Sequence, residues 1–327
     1  MSCIAMAAAF LGTAAAARAE TLAGPPSPEA TAVATAVPGE LVPAVPPPPY
    51  SLPWQLRPVI PATAIRSDSS VAFYDTAGAG GDTVATLLAG TYKLSPHLAP
   101  LVRLGFVQNE APGTSPDGSS FLNPILGLTY ARRVDAFRWA VFVGGTVPIG
   151  SGSGDHPDPG VAAANTAGLQ ARSGMDNSMF AVNYFTGIVG ADAAYVDHKL
   201  TIQVEATLFQ LLRVHGDDAG AQSSDGARTN STMGIHAGYF VIPQLSLGAE
   251  LRYQRWLTTP TRIVMGNKVD IPSANMDTTT VAIGPRAHFP IGRGLFVRPG
   301  LSYSRALDQP LSGSSYNMVQ IDVPVVF

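Results

Sequence analysis

The sequence predicts an all-β protein, a transmembrane antiparallel up-and-down β-barrel of about 12 strands, with a range of about 10 to 14. Three observations predict this fold. Apolar and polar residues alternate in stretches long enough to cross a bilayer, short and long connections alternate between those stretches, and the charged fraction is low. In the last stretch, Val319, Ile321, Val323, Val325 and Phe327 share one face, and such a period of two is typical of a strand.

The composition narrows the function classes. Of the 327 residues, 46% are apolar and only 13% are charged, against roughly a quarter in a typical soluble domain. The net charge of −3 provides no basic surface for nucleic acid. Cys3 is the one cysteine, so after removal of a leader the sequence excludes disulfides, a thiol catalyst and a thiolate metal site.

The N-terminal region predicts export. Residues 1–19 are expected to be a cleavable signal peptide, because an Ala-rich apolar stretch precedes Ala17-Arg18-Ala19, a small-x-small pattern cut before Glu20. Residues 20–50 are rich in proline and predict a disordered linker, either a plain spacer or a segment that docks onto another protein. Residues 51–327 then form the barrel, which we expect in the outer membrane of a Gram-negative bacterium, in contact with its lipid.

Twelve stretches of β-branched and aromatic residues predict the strands. They are 66–75, 82–95, 99–110, 121–133, 137–149, 185–197, 200–214, 227–241, 245–258, 276–290, 294–308 and 316–327. Short turns at 96–98, 134–136, 198–199, 243–244 and 291–293 alternate with longer polar connections, as in barrels with short periplasmic turns and long external loops. Ten or fourteen strands stay open, because 174–185 could add to a strand and the first strand could begin near Trp54.

Charged residues occupy one face of the predicted strands. In 245–254, for example, Leu247 and Leu251 alternate with Glu250 and Arg252. Lipid excludes charge from the outer face, so the charged face should line the lumen, where fixed charges set solute preference or pair with one another in a filled interior. The predicted lumen residues are Arg103, Arg138, Asp192, Glu205, Arg213, Glu250, Arg252, Arg286, His288, Arg298 and Asp322.

Aromatic residues predict where the membrane surfaces lie. Tyr92, Tyr130, Trp139, Tyr195, Tyr239, Phe289 and Phe327 have outward parity near the short turns, which predicts a periplasmic girdle. Tyr253, Trp256, Tyr303 and Tyr316 predict a sparser girdle at the other surface. The alternation ending in Val323, Val325 and Phe327 predicts an assembly signal recognised by the barrel-assembly machinery.

A short motif adds a family resemblance. Asn123-Pro124-Ile125-Leu126-Gly127-Leu128-Thr129-Tyr130 resembles the N-P-x-L-G-x-x-Y strand of outer-membrane channels assigned to the MetA pathway of phenol degradation. The next strand ends in Val147-Pro148-Ile149-Gly150, which is similar to that family's exit to a long loop. The resemblance implies passive uptake of small, hydrophobic or aromatic solutes.

The sequence therefore predicts a channel for small solutes and no enzyme, catalytic residue, cofactor or metal site. The alternatives are a structural or adhesion barrel with a closed lumen and, with less support, an outer-membrane hydrolase using His236 or His288. Asp155, His156 and Asp158 could hold a cation but more simply describe a rigid turn. In the long connection 150–184, residues 161–170 predict a short helix that constricts the pore or forms a lid.

Overall fold

The computed structural model describes residues 50–76, 78–216, 225–264, 267–271, 276–291 and 294–327. The predicted signal peptide and, apart from Tyr50, the predicted linker lie outside the described residues. None of the helices in the described part is long and apolar enough to cross a membrane.

The architecture is a closed antiparallel β-barrel. In chain order the strands are β1 (Ala64–Thr76), β2 (Ala79–Thr91), β3 (Leu98–Glu110), β4 (Gly118–Phe121), β5 (Ile125–Val134), β6 (Phe137–Thr146), β7 (Tyr184–Asp197), β8 (Leu200–Arg213), β9 (Ala227–Ile242), β10 (Leu245–Trp256), β11 (Thr261–Val264), β12 (Asn267–Asp270), β13 (Thr278–Ala287), β14 (Phe289–Pro290), β15 (Phe296–Val297), β16 (Gly300–Ala306) and β17 (Asn317–Val326). Twelve of these described strands form the wall, in the order β1-β2-β3-β5-β6-β7-β8-β9-β10-β13-β16-β17. The wall closes because β17 pairs with β1, from Ala64 opposite Val326 to Phe73 opposite Asn317.

The prediction of an all-β barrel with twelve strands is confirmed, and each predicted stretch contains one wall strand. The first strand begins at Ala64 rather than near Trp54, and of 174–185 only the last two residues are in a strand. The predicted strand 294–308 is divided into β15 and β16. Pro299 lies between them, and proline has no N–H to donate to a neighbouring strand.

The two ends of the barrel differ in their connections. At one end, here called the short-turn end, two-residue turns join β5 to β6 and β7 to β8. Asp135 and His198 begin these turns with φ of 53° and 48°, the left-handed backbone that matches the twist of a tight hairpin. Longer connections, including the segment between β6 and β7, leave the opposite, long-loop end.

The outer face of the wall is apolar, as the alternation predicts. On β10, Leu247 and Leu251 point outward and are 51% and 40% exposed, whereas Glu250 and Arg252 point inward and are fully buried. Every second residue is buried inside the barrel, and the residues between them form an exposed apolar face. This pattern is typical of a barrel whose outer surface contacts lipid.

The aromatic positions agree with the predicted girdle at the short-turn end but only partly at the other. Tyr92, Tyr239 and Phe327 are outward-facing and more than half exposed. Trp256 and Tyr316 were predicted to face outward, and this is wrong, since they are only 6% and 3% exposed. Both lie at strand ends, where other residues of the chain fill the interior and a large aromatic ring can pack against them.

Two segments of the chain fill the interior. The inner segment, residues 50–63, precedes β1 and lies inside the short-turn half of the barrel. The outer segment, residues 147–183, carries α1 (Pro159–Ala171) and α2 (Asn177–Phe180). Ala164, Ala171 and Met179 of the outer segment pack into one apolar cluster with wall residues such as Val107 and Leu211. A barrel of this size is wider than one that side chains alone can fill, and these segments occupy the difference.

Candidate functional site

The candidate functional site is the lumen, and the structure places all eleven predicted lumen residues on the inward parity of the wall. Most are buried, namely Arg138, Asp192, Glu205, Glu250, Arg252, Arg286, His288 and Asp322. Arg103, Arg213 and Arg298 are half-buried. Most of these residues hold the two interior segments in place rather than line an open pore.

Glu250 on β10 is the anchor for the tip of the inner segment. Its carboxylate accepts the backbone N–H of Trp54 at 2.8 Å and that of Gln55 at 3.1 Å. Arg252, two residues along the same face, donates to Glu250 at 2.6 Å and balances its charge. Charge-assisted hydrogen bonds of this kind are roughly twice as strong as neutral ones, so the tip is tightly fixed.

Arg57 of the inner segment lies over a pair of acidic residues. Asp192 on β7 and Glu205 on β8 are directly opposite each other, which places two carboxylates side by side. Arg57 contacts Asp192 at 3.3 Å and Glu205 at 3.2 Å, and its backbone N–H donates to Glu205 at 2.5 Å. Burial lowers the pKa of Arg57, but the two carboxylates outweigh burial and raise it overall, so the guanidinium stays charged.

Asp322 on β17 forms the third anchor. Arg66 and Arg286 both donate to it, at 2.7 Å and 2.5 Å. The two guanidinium groups also reach the backbone of the inner segment, since Arg286 donates to the Leu52 carbonyl at 3.1 Å and Arg66 donates to the Trp54 carbonyl. The inner segment is thus held by charges on the wall rather than by apolar packing alone.

Tyr50 fixes the start of the inner segment near the short-turn end. Its hydroxyl donates to the side-chain oxygen of Gln203 and accepts the N–H of Val59 at 3.3 Å. Burial raises the pKa of the Tyr50 phenol, so the hydroxyl remains a donor. Because of the contact with Val59, the two ends of the inner segment lie close together. The inner segment therefore enters and leaves the lumen at the same end of the barrel.

Arg172, directly after α1, is the main anchor of the outer segment. It donates to Asp68 on β1 at 2.8 Å, to Asp176 at 2.9 Å and to Ser70 at 2.8 Å, and it is 1% exposed. Burial lowers its pKa, but Asp68 and Asp176 raise it overall, so Arg172 stays charged. Arg103 on β3 also contacts Asp176, at 2.6 Å. The predicted helix is confirmed, and it folds into the barrel.

Asn123 joins the two motifs that carry the family resemblance. Its side chain accepts the N–H of Gly150 at 2.9 Å and donates to the carbonyls of Ala181 and Tyr184 at 3.0 and 3.3 Å. A Cβ on Gly150 would lie 2.6 Å from the Val182 side chain, so only glycine fits there. The motif at Asn123 and the motif ending at Gly150 are therefore hydrogen-bonded to each other, and Asn123 holds both ends of the outer segment in place.

Asp158 has a structural role in place of the cation site considered above. Its side chain accepts the backbone N–H groups of Gly160 and Val161, at 2.8 and 3.2 Å. It is the N-cap of α1, which has proline at its start.

Ser51, His236 and Glu250 lie in the order of a hydrolytic triad but are not built as one. Ser51 Oγ is 3.4 Å from His236 Nε2, and His236 Nδ1 is 3.7 Å from Glu250. All three are at most 1% exposed, and Ser51 lines none of the cavities found among the described residues. A nucleophile without room for a substrate has no catalytic use, so these contacts serve to hold the inner segment.

Empty space remains beside the two interior segments. One cavity, of about 40 Å³, lies between Arg57 and the outer-segment residues Met175 and Ser178. A second cavity, of about 90 Å³ and partly open to solvent, lies between the inner segment and the wall. Leu101, Arg103 and Arg57 line both cavities, so the two spaces adjoin one another.

Arginines outnumber carboxylates inside the lumen. Among the described residues that face it, the arginines are Arg57, Arg66, Arg103, Arg138, Arg172, Arg213, Arg228, Arg252, Arg286 and Arg298, and the carboxylates are Asp68, Asp176, Asp192, Glu205, Glu250 and Asp322. Arg228 is held between aromatic rings, with its guanidinium 4.6 Å from the ring centre of Tyr184 and 4.7 Å from that of Trp256. The interior field is therefore positive.

Sequence reasoning missed the whole inner segment. The sequence predicts that residues 51–63 belong to the barrel, with a first strand from near Trp54 as an open alternative, and it indicates no position for them inside the lumen, although Trp54 and Arg57 contact several wall strands. One signal was present, since Tyr50, Leu52, Trp54 and Leu56 are apolar at every second position. All four are buried inside the barrel. An alternating stretch that is too proline-rich to pair as a strand could have indicated an interior segment.

Comparisons with known proteins support the fold alone. No family model matches the sequence, and no protein of curated function matches it. A solved outer membrane channel from Pseudomonas putida F1 is similar over 84% of this chain and 98% of its own, with a TM-score of 0.54 and 15% identity. The NanC porin aligns over 81% of this chain and 99% of its own, with a TM-score of 0.45 and 11% identity. A mutant of the monoaromatic hydrocarbon channel TodX aligns over 81% and 89%, with a TM-score of 0.38 and 11% identity.

Proposed function

We propose that the protein is an outer-membrane channel for passive passage of small solutes, with hydrophobic or aromatic compounds favoured, and that its lumen is closed by the inner and outer segments. The short-turn end faces the periplasm in this proposal, which places the start of the inner segment beside the exported Pro-rich linker. The specific link to the phenol-degradation family remains a prediction based on Asn123–Tyr130 and 147–150.

The observation that carries the proposal is how the lumen is closed. Two segments of the same chain occupy it, each held by ion pairs and hydrogen bonds to the wall, with cavities of about 90 and 40 Å³ beside them. A barrel used only as a scaffold gains most stability when its filling is close-packed and leaves no cavities. Segments held by separable polar contacts can instead move aside and leave a charged, water-accessible path.

A structural barrel with a permanently closed lumen is the second candidate. Buried ion pairs between a segment and the wall favour it, because Arg172 of the outer segment contacts Asp68 on β1 at 2.8 Å and the two side chains are 1% and 8% exposed. Breaking such pairs costs free energy, and a barrel that never opens would keep them permanently.

Reconstitution separates the two candidates. Purified protein is inserted into planar bilayers and liposomes as the full chain, as a variant lacking residues 51–58, and as a control lacking eight residues of the Pro-rich segment, 30–37. A channel should show rare openings in the full chain and in the control, and frequent conductance without 51–58. A sealed bilayer for all three proteins, each shown to be folded by heat-dependent gel mobility, would contradict the channel proposal.

The end of β17 is proposed as the element that the barrel-assembly machinery recognises. Val323 and Val325 pair with Ser67 and Ile65 on β1, and Phe327 is 61% exposed at the short-turn end. An exposed ring at the edge of the closing seam is accessible before β1 and β17 pair, which is when an assembly factor would act.

A further inference from the structure

The larger cavity lies between the inner segment and the wall strands β1, β2 and β3, near the short-turn end. Apolar side chains form most of its surface, including Leu52, Ile60, Ala89, Ala99 and Val326. None of the described residues that line it is acidic. Such a surface would accommodate the apolar body of a small solute.

Four arginines border this apolar space, and three of them have acidic partners. Arg57 is balanced by Asp192 and Glu205, Arg66 by Asp322, and Arg103 by Asp176. These guanidinium groups are committed to the anchors described above, so they add little unsatisfied positive charge to the cavity.

Arg298 is the exception. Among the described residues no carboxylate lies within ion-pair distance of it, and its buried Nε has no hydrogen-bond acceptor. Its backbone is fixed, because its N–H donates to the Pro324 carbonyl at 2.9 Å and its carbonyl accepts from Arg286 at 2.7 Å. The guanidinium lies 5.7 Å from the ring centre of Phe296, and no described carboxylate balances its charge. It is thus a positioned cation without an ion-pair partner at the edge of an apolar cavity, and its buried Nε donor costs free energy unless a ligand satisfies it.

We propose that this cavity is a binding site for amphipathic organic anions, with the carboxylate of a small aromatic or aliphatic acid on Arg298 and its apolar body against Ile60, Ala89 and Ala99. The inference rests on the proposed channel function and names its substrate class. A single unpaired guanidinium matches one carboxylate, which it can bind through two parallel hydrogen bonds. The positive field of the lumen would draw the same anions inward.

Calorimetric titration of the detergent-solubilised full chain tests the proposal. The probes are 4-ethylbenzoate and its neutral counterpart 4-ethylbenzamide, which share an apolar body and differ in charge. The variants are Arg298→Gln, which removes the charge, Arg298→Lys, which keeps it, and Arg133→Gln. Arg133 is an exposed arginine at the end of β5 and lies outside the cavity lining, so its replacement is a control for overall charge.

We expect the benzoate to bind the full chain and the Arg133→Gln variant equally. Arg298→Gln should weaken it about tenfold or more, Arg298→Lys should restore most of the affinity, and the benzamide should bind about tenfold more weakly. Equal affinity of acid and amide, unchanged binding in Arg298→Gln, or no binding of the acid would each overturn the proposal. Binding in detergent does not depend on permeation. A failed conductance test would therefore reject the channel without deciding the binding site, which the titration tests separately.

Discussion

Replacement of Glu250 by Gln should loosen the inner segment without opening the wall. Glu250 accepts the N–H groups of Trp54 at 2.8 Å and Gln55 at 3.1 Å, and it is fully buried. The two N–H groups donate to different carboxylate oxygens, and Gln replaces one of these oxygens by an NH2 group that cannot accept. The substitution therefore removes one hydrogen bond to a charged group, which contributes about 1.5–3 kcal/mol. The lost bond weakens the tip by about 2 kcal/mol, which increases its opening about thirtyfold.

Hydrogen exchange measured by mass spectrometry reads this change directly. Peptides that contain Trp54 and Gln55 should exchange about thirtyfold faster in Glu250→Gln, because their amides exchange when the tip leaves its acceptor. Peptides from β7 and β8 should keep their protection. Glu110→Gln is the matched control, since Glu110 is an exposed carboxylate at the far end of β3.

The reasoning would be refuted by unchanged exchange at Trp54 and Gln55 in the Glu250→Gln variant. Equal acceleration in the tip and in the wall strands would also refute it. That result would mean that Glu250 stabilises the barrel as a whole, through Arg252, rather than the inner segment.

Three further predictions follow from the same structure. Arg172→Gln removes one partner from a buried ion-pair cluster, which should weaken the attachment of the outer segment by about 3 kcal/mol. Limited proteolysis should then cleave α1, and an intact α1 under conditions that cleave exposed loops would contradict this role. The variant lacking residues 51–58 should pass chloride in preference to potassium, because arginines outnumber carboxylates in the lumen, and a reversal potential of the cation-selective sign in a salt gradient would count against the positive field. Phe327→Ser should lower the amount of folded protein in the outer membrane while leaving the conductance of each assembled molecule unchanged, and normal membrane levels would reject the proposed assembly signal.

The wall of the barrel could be predicted from sequence because its physical cause is local. Residues that face lipid must be apolar, whereas residues that face the lumen can be charged. On β10, Leu247 and Leu251 therefore alternate with Glu250 and Arg252, and this pattern is visible without knowledge of any other strand. Alternating short and long connections then indicate how the strands pair.

The filling of the barrel could not be predicted in the same way, because it depends on contacts between distant residues. Nothing near Arg57 in the sequence indicates that Asp192 and Glu205, more than a hundred residues later, lie opposite each other beneath it. Trp256 and Tyr316 were misplaced for the same reason, since each turns inward to meet Arg228 or the carbonyl of Gln170. The lumen charges were predicted as a group, but their division into ion-pair anchors and the unpaired Arg298 required the structure.

In the proposed channel, the inner segment closes the lumen and must move for solutes to pass. Ser51 on that segment and Ser246 on β10 have their Oγ atoms 3.4 Å apart, and both are 1% exposed. A disulfide between Ser51→Cys and Ser246→Cys, with Cys3→Ala to remove the native thiol, would tie the segment to the wall. Single Ser51→Cys under the same oxidant is the control.

Solute flux into liposomes that contain the double-cysteine variant is the most direct measurement. We expect a sealed barrel when the disulfide is formed and recovery of flux when it is reduced. The single-cysteine control should be permeable under both conditions. Equal flux through the oxidised and reduced variant, with the disulfide verified by mass spectrometry, would contradict the claim that the inner segment is the gate.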